Sequence, residues 1–511
     1  MAINSKKTII LIGFILLKFL LQYLLHNPTY DLHRDEYLHL DQGNHPAWGF
    51  ESLPPFTSWV ACLIRLFGNG VFWVRFFPAL FGAFTLLLVW KTIEVLKGNL
   101  FALILGATCV VFSALVRVNF LFQPNSLDVL CWTLLYFILI NYITTQQVKW
   151  LYAGAVAFAI GFLNKYNIAF LMIGLLPAIL MTEQRKLFTK KEFYYAMALG
   201  LLLISPNLLW QYNHQFPVVH HMKLLTETQL VNVNRADFLK EQLLYFVGAL
   251  PVIAAGLYAL FFHQPFQKYR LFFGSLIFTL AVFVYFKAKG YYAIGLYPIY
   301  ISFGAAFLGC KLNTRIGKYL QVLSIAIPMI LYVILIPLVF SVKAPTYYIT
   351  HAEKYKALGM LRWEDGKDHP LPQDFADMLG WKELANKVET IYNQLPNKEQ
   401  TIILCDNYGQ AGAINYYSRN KNMNAVSFNA DYINWFKLDD SIQNFIRVKE
   451  WEGSSQELAE TIPYFETGRV AGSISNSFAR EYQTTIFVFS QPKTNINKLL
   501  KAEIGKMKKR E

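Results

Sequence analysis

The chain has 511 residues, of which 55% are hydrophobic and only 16% charged, with a formal net charge of +14. Soluble domains carry about a quarter charged residues, and several runs of roughly 18 or more mostly apolar residues suffice to cross a hydrocarbon core about 30 Å thick, so an ordinary soluble protein is excluded. The positive balance reads as Lys and Arg in cytoplasmic loops, not as a nucleic-acid surface, and the 5 cysteines include no C-x-x-C pair that would indicate a disulfide framework or a cysteine metal site.

Hydrophobic windows predict about eleven membrane helices, near 8–25, 71–96, 100–116, 127–146, 150–163, 167–182, 193–211, 241–262, 270–286, 291–310 and 318–341. The first run is longer than a signal-peptide core of about 7–15 residues, and no small-residue cleavage pattern follows Leu25, so it reads as a retained span. Residues 51–68 are apolar but short and open with Pro54-Pro55, which reads as an interfacial helix lying along the membrane surface. With the N-terminus in the cytoplasm, Lys97, Lys149 and the basic clusters at 183–191, 263–270 and 311–318 all fall inside, as the positive-inside rule requires. The outside then receives 33–51, the 117–128 turn, Lys165-Tyr166, the segment 212–240, "KAKGYY", and everything after about 342. The expected division is a membrane domain over 1–341, whose first outside loop (26–70) carries the chemistry, and a periplasmic-side α/β domain over 342–511. In that second part, Trp381, Leu384, Val388 and Ile391 recur at helical spacing, "TIILCD" (401–406) and "TTIFVFS" (484–490) read as strands, and "YGQAGAINYY" (408–417) reads as a helix. The turn "DNYGQAG" looks like a phosphate loop but lacks the G-x-G-x-x-G spacing, so no nucleotide site is expected.

Polar groups recur on the predicted outer side. Arg34, Asp35 and Glu36 follow the first span, and Glu51 precedes the double proline. Asp128 opens one helix, where "PNSLD" also reads as a helix start, and Lys165 and Tyr166 close another. His220 and His221 lie in the long loop, and Lys287, Lys289, Tyr291 and Tyr292 separate the ninth and tenth spans. Such groups at one leaflet suit a reaction between a lipid-borne, phosphate-linked donor and an acceptor outside the cytoplasm. A carboxylate takes the proton of an attacking hydroxyl, while Lys, Arg and Tyr hold the departing phosphate. Phosphate is already a weak base, so no second carboxylate is needed as acid.

The segments "HRDEYLHL", "WGFESLPPFTSWVACLIRLFG", "RFFPALFGAFTLLLVW", "PNSLDVLCWTLLYFI", "GFLNKYNIAFL", "SPNLLWQYNHQFPVVHHM" and "KGYYAIGLYP" follow one another in this order. Together they resemble the dolichyl-phosphate-mannose–protein mannosyltransferase-like membrane glycosyltransferases (glycosyltransferase family 39 and its relatives, including aminoarabinose lipid A transferases), over roughly residues 1–310. The resemblance implies a polytopic α-helical GT-C fold in the inner membrane and inverting transfer of a hexosyl or pentosyl group from a polyprenyl phosphate. It implies Asp35 as catalytic base with Glu36 in support, and maps Asp128, Lys165 and the "KAKGYY" residues Lys287, Lys289, Tyr291 and Tyr292 onto substrate-binding positions; Arg34, Glu51, Tyr166, His220 and His221, on the same predicted side, complete the expected substrate-binding set. One departure is that several relatives place a basic or His residue directly before the double proline, whereas this chain reads Glu51-Ser52-Leu53-Pro54-Pro55. The phosphate clamp must then draw its charge from Arg34, Lys165, Lys287 or Lys289.

Three readings stand beside this one. His33, Glu51, His214, His220 and His221 offer N/O ligands that suit a divalent metal such as zinc, without H-E-x-x-H spacing, and the chemistry needs none. A transporter or flippase would line a path with intramembrane charges, whereas here the charges collect at one interface and no inverted repeat is visible. A non-catalytic scaffold has no use for adjacent Asp35 and Glu36. The expected partners are the polyprenyl-linked sugar, membrane lipid and an acceptor that is a lipid, glycan or protein.

Overall fold

The computed structural model describes residues 5–420 and 422–510. All eleven apolar stretches are helical. Among the described residues six helices are long and apolar enough to cross a membrane: Lys6–Leu24, Val71–Val95, Asn125–Thr145, Lys191–Asn213, Gly290–Lys311 and Arg315–Val339, with up to two more if bent pairs each form one span. One such pair falls where the sequence predicts a single helix over 241–262. Arg235–Leu244 and the helix after it meet at 64°. Pro251 occupies the first turn of Leu250–Phe262, where its missing N–H does no harm, and Gly248 lies so close to Pro328 that a Cβ would stand 2.7 Å from its Cα. Residues 51–68 contain the expected short helix, Phe56–Leu66, with Val60, Ala61 and Ile64 buried and Leu63 and Leu66 exposed. Inside the bundle small residues let backbones approach: a Cβ on Gly304 would meet the Val252 carbonyl oxygen at 1.8 Å.

The loops sort to two ends. At one end Asn99 donates to the Gly309 carbonyl (2.8 Å), the Thr144 and Tyr269 hydroxyls share a hydrogen bond (2.7 Å), and Lys190 donates to Gln146 (3.1 Å). The C-terminal part of the chain covers the opposite end. It is built on a mixed five-stranded sheet of β1 (Thr401–Cys405), β2 (Ala425–Ser427), β3 (Asn444–Lys449), β4 (Phe465–Ser473) and β5 (Thr485–Pro492), in the order β2-β1-β3-β5-β4. The β1 strand is parallel to both neighbours, and β5 is antiparallel to β3 and β4. Alternate residues divide the faces. Ile402, Leu404, Phe445, Phe487 and Phe489 pack with Leu500 of helix Ile496–Arg510, whereas Ile403, Cys405, Ile446, Val448, Ile486 and Val488 pack with Trp381, Leu384 and Val388 of helix Trp381–Gln394.

That second core also contains Leu32, Tyr37, Leu38 and Leu40 of the first loop, so residues 26–70 are packed into the C-terminal domain and not merely beneath it. Helix Trp381–Gln394 has no capping side chain of its own; Asp31 accepts from the Trp381 and Lys382 N–H groups (3.1 and 3.2 Å), capping it across 350 residues of chain. Asp41 is buried and accepts from Asn415 (2.7 Å), Tyr432 (2.8 Å) and Asn44 (2.9 Å). The helix Tyr408–Tyr417 crosses Arg34–Gln42 at Gly412, where a Cβ would lie 2.7 Å from Tyr37 Cβ and 2.6 Å from the Tyr432 hydroxyl. Gly412→Val therefore overpacks this crossing. It is expected to remove about 3 kcal/mol, read as a lower unfolding temperature and faster protease release of the C-terminal domain; an unchanged melt removes this crossing from the account of how the domain is seated.

Candidate active site

The site begins at the N-terminus of Arg34–Gln42. His33 is extended (φ −72°, ψ 148°) and its Nδ1 accepts from the Asp35 N–H (3.2 Å), while Glu36 Oε2 accepts from the His33 N–H (2.7 Å), a reciprocal capping box. Asp35 and Glu36 are adjacent and so point about 100° apart around the helix, and their surroundings differ completely. Glu36 is fully buried; Oε1 accepts from Arg75 Nη1 (2.7 Å) and from the Phe122 N–H (2.6 Å). Arg75 Nη1 also donates to the Phe120 carbonyl (2.7 Å). Glu36 Oε1 thus ties the first loop to the 112–124 turn, while Oε2 caps its own helix.

Asp35 faces outward, its side chain 35% exposed. Tyr408 donates its hydroxyl to Oδ1 (2.7 Å) and Gln123 its amide to Oδ2 (3.0 Å). Burial alone would raise this carboxyl, but His33, Arg34 and the Tyr408 hydrogen bond outweigh it and hold it at about 2. Arg34 lies with its guanidinium 4.5 Å from the centre of the Tyr408 ring, and its backbone N–H is held by the Asp377 carbonyl (3.1 Å).

A second polar group gathers where three helix ends meet. Lys165, just past Lys149–Asn164, donates to Asn125 (2.8 Å) and stands 4.3 Å from the ring centre of Tyr292 and 5.2 Å from that of Tyr291. Asp128 is buried; Oδ2 accepts from Asn167 (2.8 Å), whose amide also reaches the Tyr292 carbonyl (2.9 Å), and Oδ1 has no hydrogen-bond partner among the described residues. Lys289 donates to Gln229 (2.6 Å) and to Glu364. Burial lowers its pKa, but Glu364, Tyr292 and Asp35 raise it further, so it is a firm cation within electrostatic reach of Asp35. His221 borders it on the exposed helix Pro217–Thr228; burial first, then Lys289 and neighbouring His220, keep its imidazole below the usual range.

The structure thus brings Arg34, Asp35, Lys289, Tyr291, Tyr292, Lys165 and Asp128 to one end of the bundle, with His220 and His221 beside them. Lys287 ends the preceding helix in a left-handed turn (φ 52°). Tyr166 turns aside, donating to Asn207 (3.0 Å) and accepting from Gln211 (3.0 Å), while Asn207 in turn donates to the Trp48 carbonyl (2.7 Å). The Glu51 N–H is held by Asp431 (2.8 Å), in the seam with the C-terminal domain. His214 stacks on Trp210 at 4.1 Å, and among the described residues no three His, Cys, Asp or Glu side chains are grouped to hold a metal ion. No step is assigned to a metal. The "DNYGQAG" turn is no phosphate cradle: Asn407 donates to Glu450 (2.6 Å) and Glu481 (3.1 Å), which repel an anion, and Gly409 and Gly412 serve close packing against Arg34 and Tyr37.

Sequence reasoning missed Gln123, Tyr408, Arg75, Asn167 and Glu364. Gln123, Arg75 and Asn167 lay in stretches singled out beforehand without being picked as site residues, Tyr408 lay in one weighed for a different chemistry, and Glu364 lay in none.

Part of the chain is similar in sequence, and nearly all of it in fold, to known proteins. Residues 52–210 match the profile of the family described as dolichyl-phosphate-mannose-protein mannosyltransferase. The lipid A galacturonosyltransferase RgtD of Rhizobium johnstonii is 25% identical over 231 residues, 44% of this chain and 46% of that protein. The chain therefore spans just under half the length of this curated relative. The crystal structure of ArnT from Cupriavidus metallidurans superposes over nearly the whole fold. The apo form gives a TM-score of 0.63 at 14% identity, covering 94% of this chain and 98% of that one. The form bound to undecaprenyl phosphate gives 0.61 at 12% identity, covering 95% and 98%. The chain is thus a polytopic membrane protein with the GT-C fold and a small C-terminal sheet domain, and its residues 52–210 are similar to the dolichyl-phosphate-mannose–protein mannosyltransferase family.

Proposed function

We propose that the chain is an inverting glycosyltransferase that moves a sugar from a polyprenyl phosphate to an acceptor hydroxyl at the extracytoplasmic face, with its N-terminus in the cytoplasm and its C-terminal domain outside. The observation that carries this reading is the pairing, at one end of the bundle, of an ionised and partly exposed Asp35 with the Lys289, Tyr291, Tyr292 and Lys165 group. Asp35 takes the acceptor proton as the acceptor oxygen bonds to the anomeric carbon. The bond from that carbon to the phosphate oxygen breaks on the opposite side, and its electron pair leaves with polyprenyl phosphate, which the cations stabilise. The proton then passes from Asp35 to water. Glu36 acts here as a positioning residue, and Asp128 holds Asn167 and the Tyr291-Tyr292 turn beside Lys165. RgtD and the matched family are named as transferases, which favours this reading over a transporter.

Purified protein in lipid, given a panel of polyprenyl-phosphate sugars and membrane extract as acceptor source, should release polyprenyl phosphate with one donor class. A donor that is bound and moved across the bilayer without release supports the flippase instead. A C-terminal alkaline phosphatase fusion should be active, since that enzyme matures only outside the cytoplasm.

Lys289 supplies a further expectation. Its partner Glu364 occupies the place a phosphate oxygen needs, and the pair is partly exposed (side chains 17% and 41%). Pairs of this kind contribute up to about 1 kcal/mol. Glu364→Gln keeps a hydrogen-bonding group but drops the competing charge, so polyprenyl phosphate should bind roughly two- to fivefold more tightly. Equilibrium binding of labelled polyprenyl phosphate checks this, and unchanged or weaker binding takes Lys289 out of the phosphate site.

A further inference from the structure

We infer that the C-terminal domain contributes directly to the active site, through Tyr408, which orients the Asp35 carboxylate for proton transfer; the inference rests on the reading of Asp35 as the base. Asp35 and Tyr408 are far apart in the chain, yet the hydroxyl donates to Oδ1 at 2.7 Å. The second oxygen is held by Gln123 from the 112–124 turn at 3.0 Å. One donor per oxygen, from two separate segments, fixes the plane of the carboxylate and leaves its remaining lone pairs toward the open side.

The placement of Tyr408 is itself fixed. It is the first residue of a helix capped by Asn407, whose side chain accepts from the Gln410 N–H (3.0 Å). Its ring is covered by Arg34, and next to it Gly409 packs so closely that a Cβ would stand 3.2 Å from Arg34 Cβ and 2.9 Å from the Trp381 ring. Packing on Arg34 needs only the ring. The hydroxyl, aimed at a carboxylate that keeps a third of its surface in solvent, adds nothing to that packing and sets the geometry of Asp35. Tyr408 keeps its proton throughout: the acceptor proton goes to Asp35, and the electron pair of the broken bond leaves with the phosphate.

Other charged or titratable groups face Asp35 as well. His33, Arg34 and His39 lie on or next to its own helix, Asp374 and Asp377 come from the segment before Trp381, and Lys289 and Tyr291 come from the turn between the ninth and tenth spans. Tyr408→Phe leaves all of these in place, together with the ring on Arg34.

The test uses the full chain in lipid and two independent readouts. A carbodiimide labels carboxyls in proportion to their protonated fraction, so labelling of Asp35 at pH 5, read by peptide mass spectrometry, reports the loss of the hydrogen bond without any need for turnover. The rate should rise roughly tenfold in Tyr408→Phe, with exposed Glu466 as an unchanged control and Asp35→Asn marking the peptide. In turnover, kcat should fall about tenfold with the donor KM unchanged, since the donor clamp is untouched. An unchanged Asp35 labelling rate overturns the inference, as does a wild-type kcat. If wild type turns over no donor, the transferase reading fails, and the labelling ratio still decides whether Tyr408 holds Asp35.

Discussion

Asp35→Asn is expected to lower kcat by a factor on the order of 10²–10⁴ while the donor KM stays within about twofold. The substitution keeps the shape of the side chain, so its one retained oxygen still accepts the Tyr408 hydroxyl that now reaches Oδ1 at 2.7 Å. What disappears is the lone pair that takes the acceptor proton. The new amide meets the Gln123 amide donor, and Gln123 cannot simply invert, because its own oxygen already accepts from Asn125 (3.0 Å). That conflict is local and half-solvated, so the unfolding temperature should move little. The acid side is equally informative. Asp35 is held at about 2, so it stays ionised in the free site across the neutral range, and a loss of turnover between pH 7 and pH 5 has to come from another group. Turnover by Asp35→Asn equal to wild type would remove Asp35 as the base and move the role to Glu51 or Asp128.

The parts of this molecule that were legible in the sequence were those set by local chemistry. Apolar runs located every membrane helix, because burial in lipid demands them at that length. The break at 245–249 left only small marks, Gly248 and Pro251, in an apolar run, and the close approach of Gly248 to Pro328, some 80 residues away in sequence, could not be read from them. In the C-terminal part, Thr401–Cys405 and Tyr408–Tyr417 were legible from a buried-type strand and a Gly-containing turn. By contrast, β2 has only three residues, and β4 is a largely exposed edge with Gly468 and Gly472 and no clean alternation. At the site, "HRDE" gave the acidic pair, while the division of labour between its members depended on rotation about a helix that begins at Arg34. His33 serves as the N-cap although it is not among the usual capping residues, so the sequence carried no signature for Glu36's capping role, and its burial against Arg75 and Phe122 depends on distant segments. Tyr408 had no such signal either, since its partner Asp35 lies 373 residues away in the chain.

Glu36→Ala is expected to cost about 3–5 kcal/mol, the usual penalty for leaving one member of a buried ion pair alone. The carboxylate is fully buried and receives Arg75, the Phe122 N–H and the His33 N–H. Its removal strands the Arg75 guanidinium, which keeps only the Phe120 carbonyl and the face of the Phe120 ring at 4.8 Å. The helix start carrying Asp35 loses half of its capping box in the same step. Activity should therefore fall together with the unfolding temperature, and activity alone cannot separate a positioning role from a catalytic one. The double variant Glu36→Ala/Arg75→Met separates them. With no buried charge left unpaired, stability should recover by several kcal/mol relative to Glu36→Ala, and turnover per folded molecule should recover in part, because the stranded cation is gone while the capping half that Glu36 supplied stays lost. A double variant that regains its melting temperature but stays without turnover would show that Glu36 takes part in the proton chemistry itself.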